Sequence, residues 1–140
     1  VEQASKSPVA DRINITGKVS KEELVDYYRN SDLFVLPACY DDEGDTEGLG
    51  IVLLEALSYG SPLIASEVGG IVDIVKDGVS GLLIPEKDPD AIADAVFRIL
   101  SDKEQYLRLV TDGYSMVRKK FDSGNIAEQM IRKYSDIVKR

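Results

Sequence analysis

Asp45-Thr46-Glu47-Gly48-Leu49-Gly50-Ile51-Val52-Leu53-Leu54-Glu55-Ala56-Leu57-Ser58-Tyr59-Gly60 is the stretch around which the rest of the chain is arranged. Two glycines stand where a loop becomes a helix. One carboxylate precedes them, and a second follows a little over one turn into the helix. Residues 50–59 have a helical composition, and Gly60 supplies a C-terminal stop. At about 100° per residue, Leu53, Leu54 and Leu57 share one face and Glu55 points away from them. Ile51, Val52 and Tyr59 flank Glu55, so the helix is apolar nearly all round. Such a helix is buried, or its second face meets something other than water. A carboxylate in that setting needs a partner.

The N-terminal end of this helix suggests one. Gly48 and Gly50 have no Cβ, so backbone amides can approach a ligand closely, and a helix N-terminus favours anions. Glu47 and Glu55 are separated by roughly 12 Å along a helix that rises 1.5 Å per residue. That span suits a bent nucleotide-sugar, with one acid on sugar hydroxyls, the other on a ribose diol and the amides between them on a diphosphate. The plainer alternative is an acidic first turn followed by a core helix carrying one solvated Glu. Spacing alone leaves both open.

Outward from this stretch, helices alternate with short apolar runs. Residues 1–10 are polar and read as the frayed tail of an earlier helix. Residues 12–16 alternate and are β-rich, which predicts a short strand ending at Gly17. Ser20-Lys21-Glu22-Glu23 is a capping-box pattern, opening a helix that runs to about residue 30, with Leu24, Tyr27 and Tyr28 inward. Residues 32–36 form an apolar run stopped by Pro37, as in a buried parallel strand. Pro62 fixes the start of a strand at residues 63–66. Gly69 and Gly70 open a short helix at 71–76, as a second phosphate-facing turn could. Asp77-Gly78 is a turn, and residues 81–85 are another strand. Asp88-Pro89 reads as N-cap and first helical residue, with Ile92, Ala95, Val96 and Ile99 following at helical spacing. Helices at 103–120 and 125–138 close a basic C-terminal end, read as a solvated surface. The alternation predicts a parallel, doubly wound α/β sheet with its ligand at the carboxyl ends of the strands. Gly17, Pro37, Ser66 and Pro85 mark those ends.

Composition narrows the classes. The chain has 140 residues, one domain at most, with 17 basic against 25 acidic side chains and a net charge of −8. That balance argues against a nucleic-acid surface and gives no general attraction to anionic membranes. Cys39 is the only cysteine, which excludes an intrachain disulfide and fits a reducing compartment. Without histidine, no imidazole acid–base or metal chemistry arises within these residues. No run of about 18 apolar residues occurs, and no Walker-type phosphate loop.

The ordered set of motifs resembles the retaining GT-B glycosyltransferases of the glycogen-synthase and mannosyltransferase-like group, glycosyltransferase family 4 (glycosyl transferases group 1). It comprises Glu47-Gly48-Leu49-Gly50 through Glu55-Ala56-Leu57, an E-x7-E pattern, then Gly60-Ser61-Pro62-Leu63-Ile64-Ala65-Ser66. Downstream come Val68-Gly69-Gly70-Ile71 and Asp77-Gly78-Val79-Ser80-Gly81-Leu82-Leu83-Ile84-Pro85. Upstream stand Ile15-Thr16-Gly17-Lys18-Val19 and Ser31-Asp32-Leu33-Phe34-Val35-Leu36-Pro37.

The resemblance implies a Rossmann-like GT-B C-terminal domain, residues 1–140 being its donor-binding part, lacking the first two strands and ending in helices. It implies transfer of a sugar from a nucleotide-diphosphate sugar with retention of configuration, with no metal and no cofactor beyond that substrate. Glu47 would bind donor-sugar hydroxyls as the catalytic-site acid. Backbone amides of Gly48, Leu49, Gly50 and Ile51 would hold sugar and diphosphate, Glu55 the ribose diol, and Gly17, Lys18 and Val19 would border the base. Catalysis would come from positioning and charge stabilisation at the leaving phosphate.

The family's Arg and Lys for the diphosphate lie before the first residue here, as does an N-terminal acceptor domain, so the chain is expected to be a piece of a larger enzyme, inactive alone. The expected strand order is 3-2-1-4-5-6, with residues 12–16 as the third strand and a two-strand gap separating them from residues 32–36. The acceptor is left open among glycan, lipid-linked glycan and small molecule. The expected location is cytoplasmic, with membrane-surface contact through the missing part.

Two features test the resemblance. Residues 38–46 form a long acidic loop with Asp41, Asp42, Glu43 and Asp45, longer than the family usually has. Its glycine falls two positions too early for a calcium loop, and the Asp-x-Asp of manganese-dependent sugar transferases is absent. A solvated, flexible loop shaping the acceptor or sugar pocket is the expectation. The rival functions are a non-catalytic module that binds a nucleotide-sugar or a partner protein, and a nucleotide-sugar epimerase. The epimerase needs acid–base side chains that this histidine-free stretch lacks.

Overall fold

The computed structural model describes residues 2–46 and 48–138. A parallel sheet of order β1-β2-β3 is formed by Phe34–Leu36, Leu63–Ser66 and Gly81–Ile84. Phe34 pairs with Leu63 and Leu36 with Ala65; Leu63 pairs onward with Gly81 and Ser66 with Ile84. Central β2 is buried at all four positions, as a parallel strand covered on both faces must be. Edge strand β1 is only half-buried.

Helices lie on both faces. One core layer joins Leu63 and Ala65 of the sheet to Tyr28 of α2 (Lys21–Asn30), Leu53 and Leu57 of α3 (Ile51–Ser58), and Ile71 and Ile74 of α4 (Ile71–Ile74). The opposite layer joins Ile64, Leu82 and Ile84 to Ala95 and Ile99 of α5 (Pro89–Ser101). The long helix α6 (Lys103–Lys120) serves both layers, with Leu109 in one and Val117 in the other. Its Gly113 lies so close to α3 that a Cβ would stand 2.6 Å from Leu57 Cδ2. Short α1 (Glu2–Ser5) and the terminal α7 (Ser123–Val138) have no buried residue.

The helix ends follow local chemistry. Ser20 and Glu23 form a reciprocal capping box on α2. Asp88 caps α5 through the Ala91 amide, with Pro89 at the first position, and Asp102 caps α6 through Gln105. The helix predicted at 71–76 stops at Ile74, because Val75 is already extended and Asp77 bridges to Gly81.

Two expectations need correction. Residues 12–16 are not a strand: a 3-10 turn at Ala10–Arg12 leads into irregular backbone, with Ile13 and Ile15 exposed. No backbone hydrogen bond joins residues 13–15 to residues 33–35 among those described; Phe34 N–H instead donates to the Pro62 carbonyl at 2.9 Å. Both facts agree with a sheet order in which residues 12–16 are not β1's neighbour. A strand without a ladder partner gains neither hydrogen bonds nor cross-strand contacts. Tyr27 is 46% exposed, so of the three residues expected inward only Leu24 and Tyr28 pack on the core.

Candidate functional site at the carboxyl ends of the strands

Three loops leave the carboxyl ends of β1, β2 and β3, and the chain ties them together. The loop after β1 carries Tyr40, whose amide donates to a Glu86 carboxylate oxygen beyond β3 at 2.9 Å. The Tyr40 hydroxyl accepts from the Gly69 amide beyond β2 at 3.2 Å. Within the same loop, one Asp41 carboxylate oxygen accepts from the amides of Glu43 and Asp45 at 2.9 and 2.8 Å. The Asp41 amide donates back to the Asp45 carbonyl at 2.9 Å, and Thr46 Oγ1 donates to the Cys39 carbonyl at 3.1 Å. The acidic loop is exposed, as expected, but its own backbone and Asp41 close it into a compact turn rather than leaving it loose.

The expected ligand-facing backbone follows. Gly50 is the N-cap of α3 in left-handed backbone (φ 67°, ψ 52°), a conformation in which a Cβ is unfavourable. Gly48, Leu49 and Ile51 are exposed around it. The second glycine turn has a packing reason of its own. A Cβ on Gly70 would stand 1.9 Å from the Gly48 carbonyl oxygen and 3.3 Å from Leu49 Cα. The turns at 48–50 and 69–70 therefore meet backbone to backbone. Glu47 lies outside the described residues.

Glu55 sits exposed on α3 and not buried as the apolar helix suggested, and its partner is Tyr28 of α2. The Tyr28 hydroxyl donates to Glu55 Oε2 at 3.1 Å. Burial first, and then that hydrogen bond to a carboxylate, push the Tyr28 phenol up to about 12. The Tyr28 ring stacks on Tyr59 with centroids 5.8 Å apart and leans on Phe34 at 5.7 Å. The Arg29 guanidinium lies over the Tyr59 ring at 5.3 Å. A groove of about 340 Å³ opens beside Glu55, walled by Lys21, Leu24, Leu54, Tyr59 and Phe121.

Gly17 (φ 63°), exposed Lys18 and half-buried Val19 lead into α2 just before Lys21. The loop predicted to border a base is thus joined through Lys21 to the groove that Glu55 borders.

A second hollow, of about 280 Å³, lies at the sheet's carboxyl edge between Pro37, Cys39, Ser66, Lys87 and Pro89. Ser66 Oγ is buried there with no hydrogen-bond partner among the described residues. Tyr28 as Glu55's partner and Tyr40 as the tie between loops were missed from the sequence, and Ser66 was placed only as a strand end. For Tyr28 a signal existed: it follows Leu24 by four positions on the buried face of α2.

Residues 1–116 match the family described as glycosyl transferases group 1. The chain is 33% identical over 123 residues to the GDP-mannose-dependent alpha-(1-6)-phosphatidylinositol monomannoside mannosyltransferase of Mycobacterium tuberculosis, covering 87% of this chain and 32% of that protein. Sucrose-phosphate synthase from Thermosynechococcus elongatus superposes with a TM-score of 0.80 at 32% identity, over 98% of this chain and 33% of that one. The C-terminal domain of a group 1 glycosyl transferase (LpcC) from Francisella tularensis superposes with a TM-score of 0.73 at 27% identity, over 87% of this chain and 60% of that one. The chain spans 31–32% of the length of the curated relatives it matches first.

Proposed function

From the premise that the chain belongs to the glycosyl transferases group 1 family, we propose that the whole protein transfers a sugar from a nucleoside-diphosphate sugar to an acceptor with retention of configuration. Residues 1–140 supply part of its C-terminal, donor-binding domain. The observation that carries this reading is the arrangement at α3. A left-handed Gly50 caps the helix without a side chain, the Gly48 turn rests on Gly70, and Glu55 is held by Tyr28 beyond the helix's first turn. A helix N-terminus preceded by the exposed residues Gly48 and Leu49, beside an oriented carboxylate, suits a diphosphate and a diol. The GDP-mannose dependence in the name of the mycobacterial relative supports a nucleotide-sugar as donor class.

The roles proposed are those that the family resemblance implies. Glu47 binds donor-sugar hydroxyls, the amides of Gly48, Leu49, Gly50 and Ile51 hold the sugar and diphosphate, and Glu55 takes the ribose diol. Gly17, Lys18 and Val19 border the base. The reaction proceeds by positioning and by stabilising charge on the departing diphosphate, without a metal or other cofactor. The acceptor is a glycan, a lipid-linked glycan or a small molecule, engaged by segments outside these residues. No described helix is long and apolar enough to cross a membrane. The expected site of action is the cytoplasm, with any membrane-surface contact made by the rest of the protein.

Substitution of the two acids in the complete protein tests this. Glu55→Ala should weaken the free nucleoside diphosphate by about 1.5–3 kcal/mol, the worth of a hydrogen bond to a charged group. Glu47→Ala should spare the free nucleotide and reduce turnover of the nucleotide-sugar. Calorimetric titration beside an activity assay separates the two effects. Equal losses for both ligands in both variants would sink the division of labour. Donor binding with no transfer to any acceptor would favour the non-catalytic module instead.

A further inference from the structure

Glu55 is an exposed side chain, and such a side chain samples several rotamers unless something holds it. The only hydrogen bond it makes among the described residues is the one it accepts from Tyr28, whose hydroxyl stands 3.1 Å from Oε2. Tyr28 itself is 4% exposed and fixed at both ends. Its backbone carbonyl accepts from Ser61 Oγ at 2.7 Å, which ties α2 to the residue just past α3. Its ring contacts both Phe34 and Tyr59, and Arg29 lies over the Tyr59 ring. A buried phenol thus meets an exposed carboxylate across 27 residues of sequence.

We propose that Tyr28 is a positioning residue for donor recognition, its hydroxyl holding the Glu55 carboxylate in the rotamer that receives a vicinal diol. A carboxylate has about four lone-pair directions, and one phenolic O–H uses one of them. Oε1 and the remaining direction on Oε2 stay available to two hydroxyl donors. Because the rotamer is set before the ligand arrives, ordering Glu55 does not subtract from binding. The proposal rests on the assignment of Glu55 to the ribose. It adds that the residue which makes this assignment work lies on another helix and acts through Glu55.

The test uses the complete protein and calorimetric titration with GDP and UDP, each paired with its 2′,3′-dideoxy counterpart. The nucleotide that binds tighter serves as the probe. Tyr28→Phe keeps the ring and removes only the hydroxyl. The expected result is roughly tenfold weaker binding of the ribonucleotide, the scale of one lost hydrogen bond to a charged group, with the dideoxy form unchanged. In steady-state kinetics the donor KM rises while kcat stays near wild type. Glu55→Ala separates the two layers of the reading. If it does not discriminate ribose from dideoxyribose, the ribose assignment itself fails. If Glu55→Ala discriminates but Tyr28→Phe weakens both ligands alike, or neither, the positioning role is overturned and the assignment survives. Should Tyr28→Phe not fold by circular dichroism, Glu55→Asp takes its place, because it keeps the charge but draws it back from the Tyr28 hydroxyl. Ribonucleotide binding as tight as wild type in Glu55→Asp would also overturn the proposal.

Discussion

Leu63–Ser66 and residues 12–16 are both short runs of β-forming composition, and only the first is a strand. β2 has a parallel neighbour on each side and a helical layer on each face, and all four of its residues are buried. Residues 12–16 have no described strand beside them, and Ile13 and Ile15 remain 42% and 54% exposed. The difference lies in the neighbours and not in the amino acids. β-propensity is largely the ability to fit a pleated, half-buried surface, and it has no effect where that surface is not provided. Edge strand β1, half-buried and paired on one side only, stands between these extremes.

The largest effect should come from disturbing the closed side. Gly81 faces Leu63 across the β2–β3 ladder, and a Cβ there would stand 2.8 Å from both Leu63 Cβ and the Leu63 carbonyl oxygen. Val75 Cγ1 closes the remaining space at 3.1 Å. Backbone and Cβ atoms cannot swing away as the end of a long side chain can. Gly81→Val should therefore lower unfolding stability by about 3 kcal/mol, the upper range for overpacking a core, or prevent folding. Urea unfolding followed by circular dichroism measures it. A loss below about 1 kcal/mol would mean that the strand interior yields more easily than its burial implies.

An intermediate effect belongs to α2, which joins the open N-terminal segment to the closed core through Tyr28. Unfolded, this phenol loses its proton near 10.0; folded, it keeps the proton until about 12. Between those values the folded state binds more protons, so stability falls as pH rises. The contribution is fully present below pH 10 and lost on passing 12. Tyr28→Phe should abolish this component, so that wild type and variant unfold with different pH slopes above pH 10 and with parallel profiles below it. Identical slopes throughout would show that the hydroxyl is not shielded by its burial and by Glu55.

These cases also mark how much of the molecule was legible in its sequence. Ser20 with Glu23, Asp88 with Pro89, and the apolar run after Pro62 act within a few residues, and each element they define stands where local chemistry placed it. The helix itself was equally plain, but Glu55 on it is exposed and not buried, so its bond to Tyr28 is not one that burial demanded. The identity of that partner was not legible. Tyr28 and Glu55 lie 27 positions apart, Tyr40 and Gly69 29, and Tyr40 and Glu86 46. Such pairs are set by how helices and loops pack on the sheet, which periodicity does not encode. The same applies to Gly70, whose lack of a side chain serves a neighbouring backbone as much as any ligand.

The smallest effect should come from the open side, and it turns the comparison into a measurement. Ile13→Thr and Ile15→Thr keep β-branching and remove apolar surface that is already largely in water. In the 140-residue chain each should change stability by no more than about 0.5 kcal/mol, as exposed substitutions do. In the complete protein, the proposed domain places further strands beside residues 12–16, and the same alternation would then bury one face. There each substitution should remove a buried methyl and leave a hydroxyl needing a partner, a loss of about 1–3 kcal/mol. Urea titrations of both proteins with both variants decide between the two settings. A large loss in the short chain would mean that residues 12–16 already pack as a strand without their neighbours. A small loss in both would mean that the complete protein does not complete the sheet at this edge, and the expected strand order would fail with it.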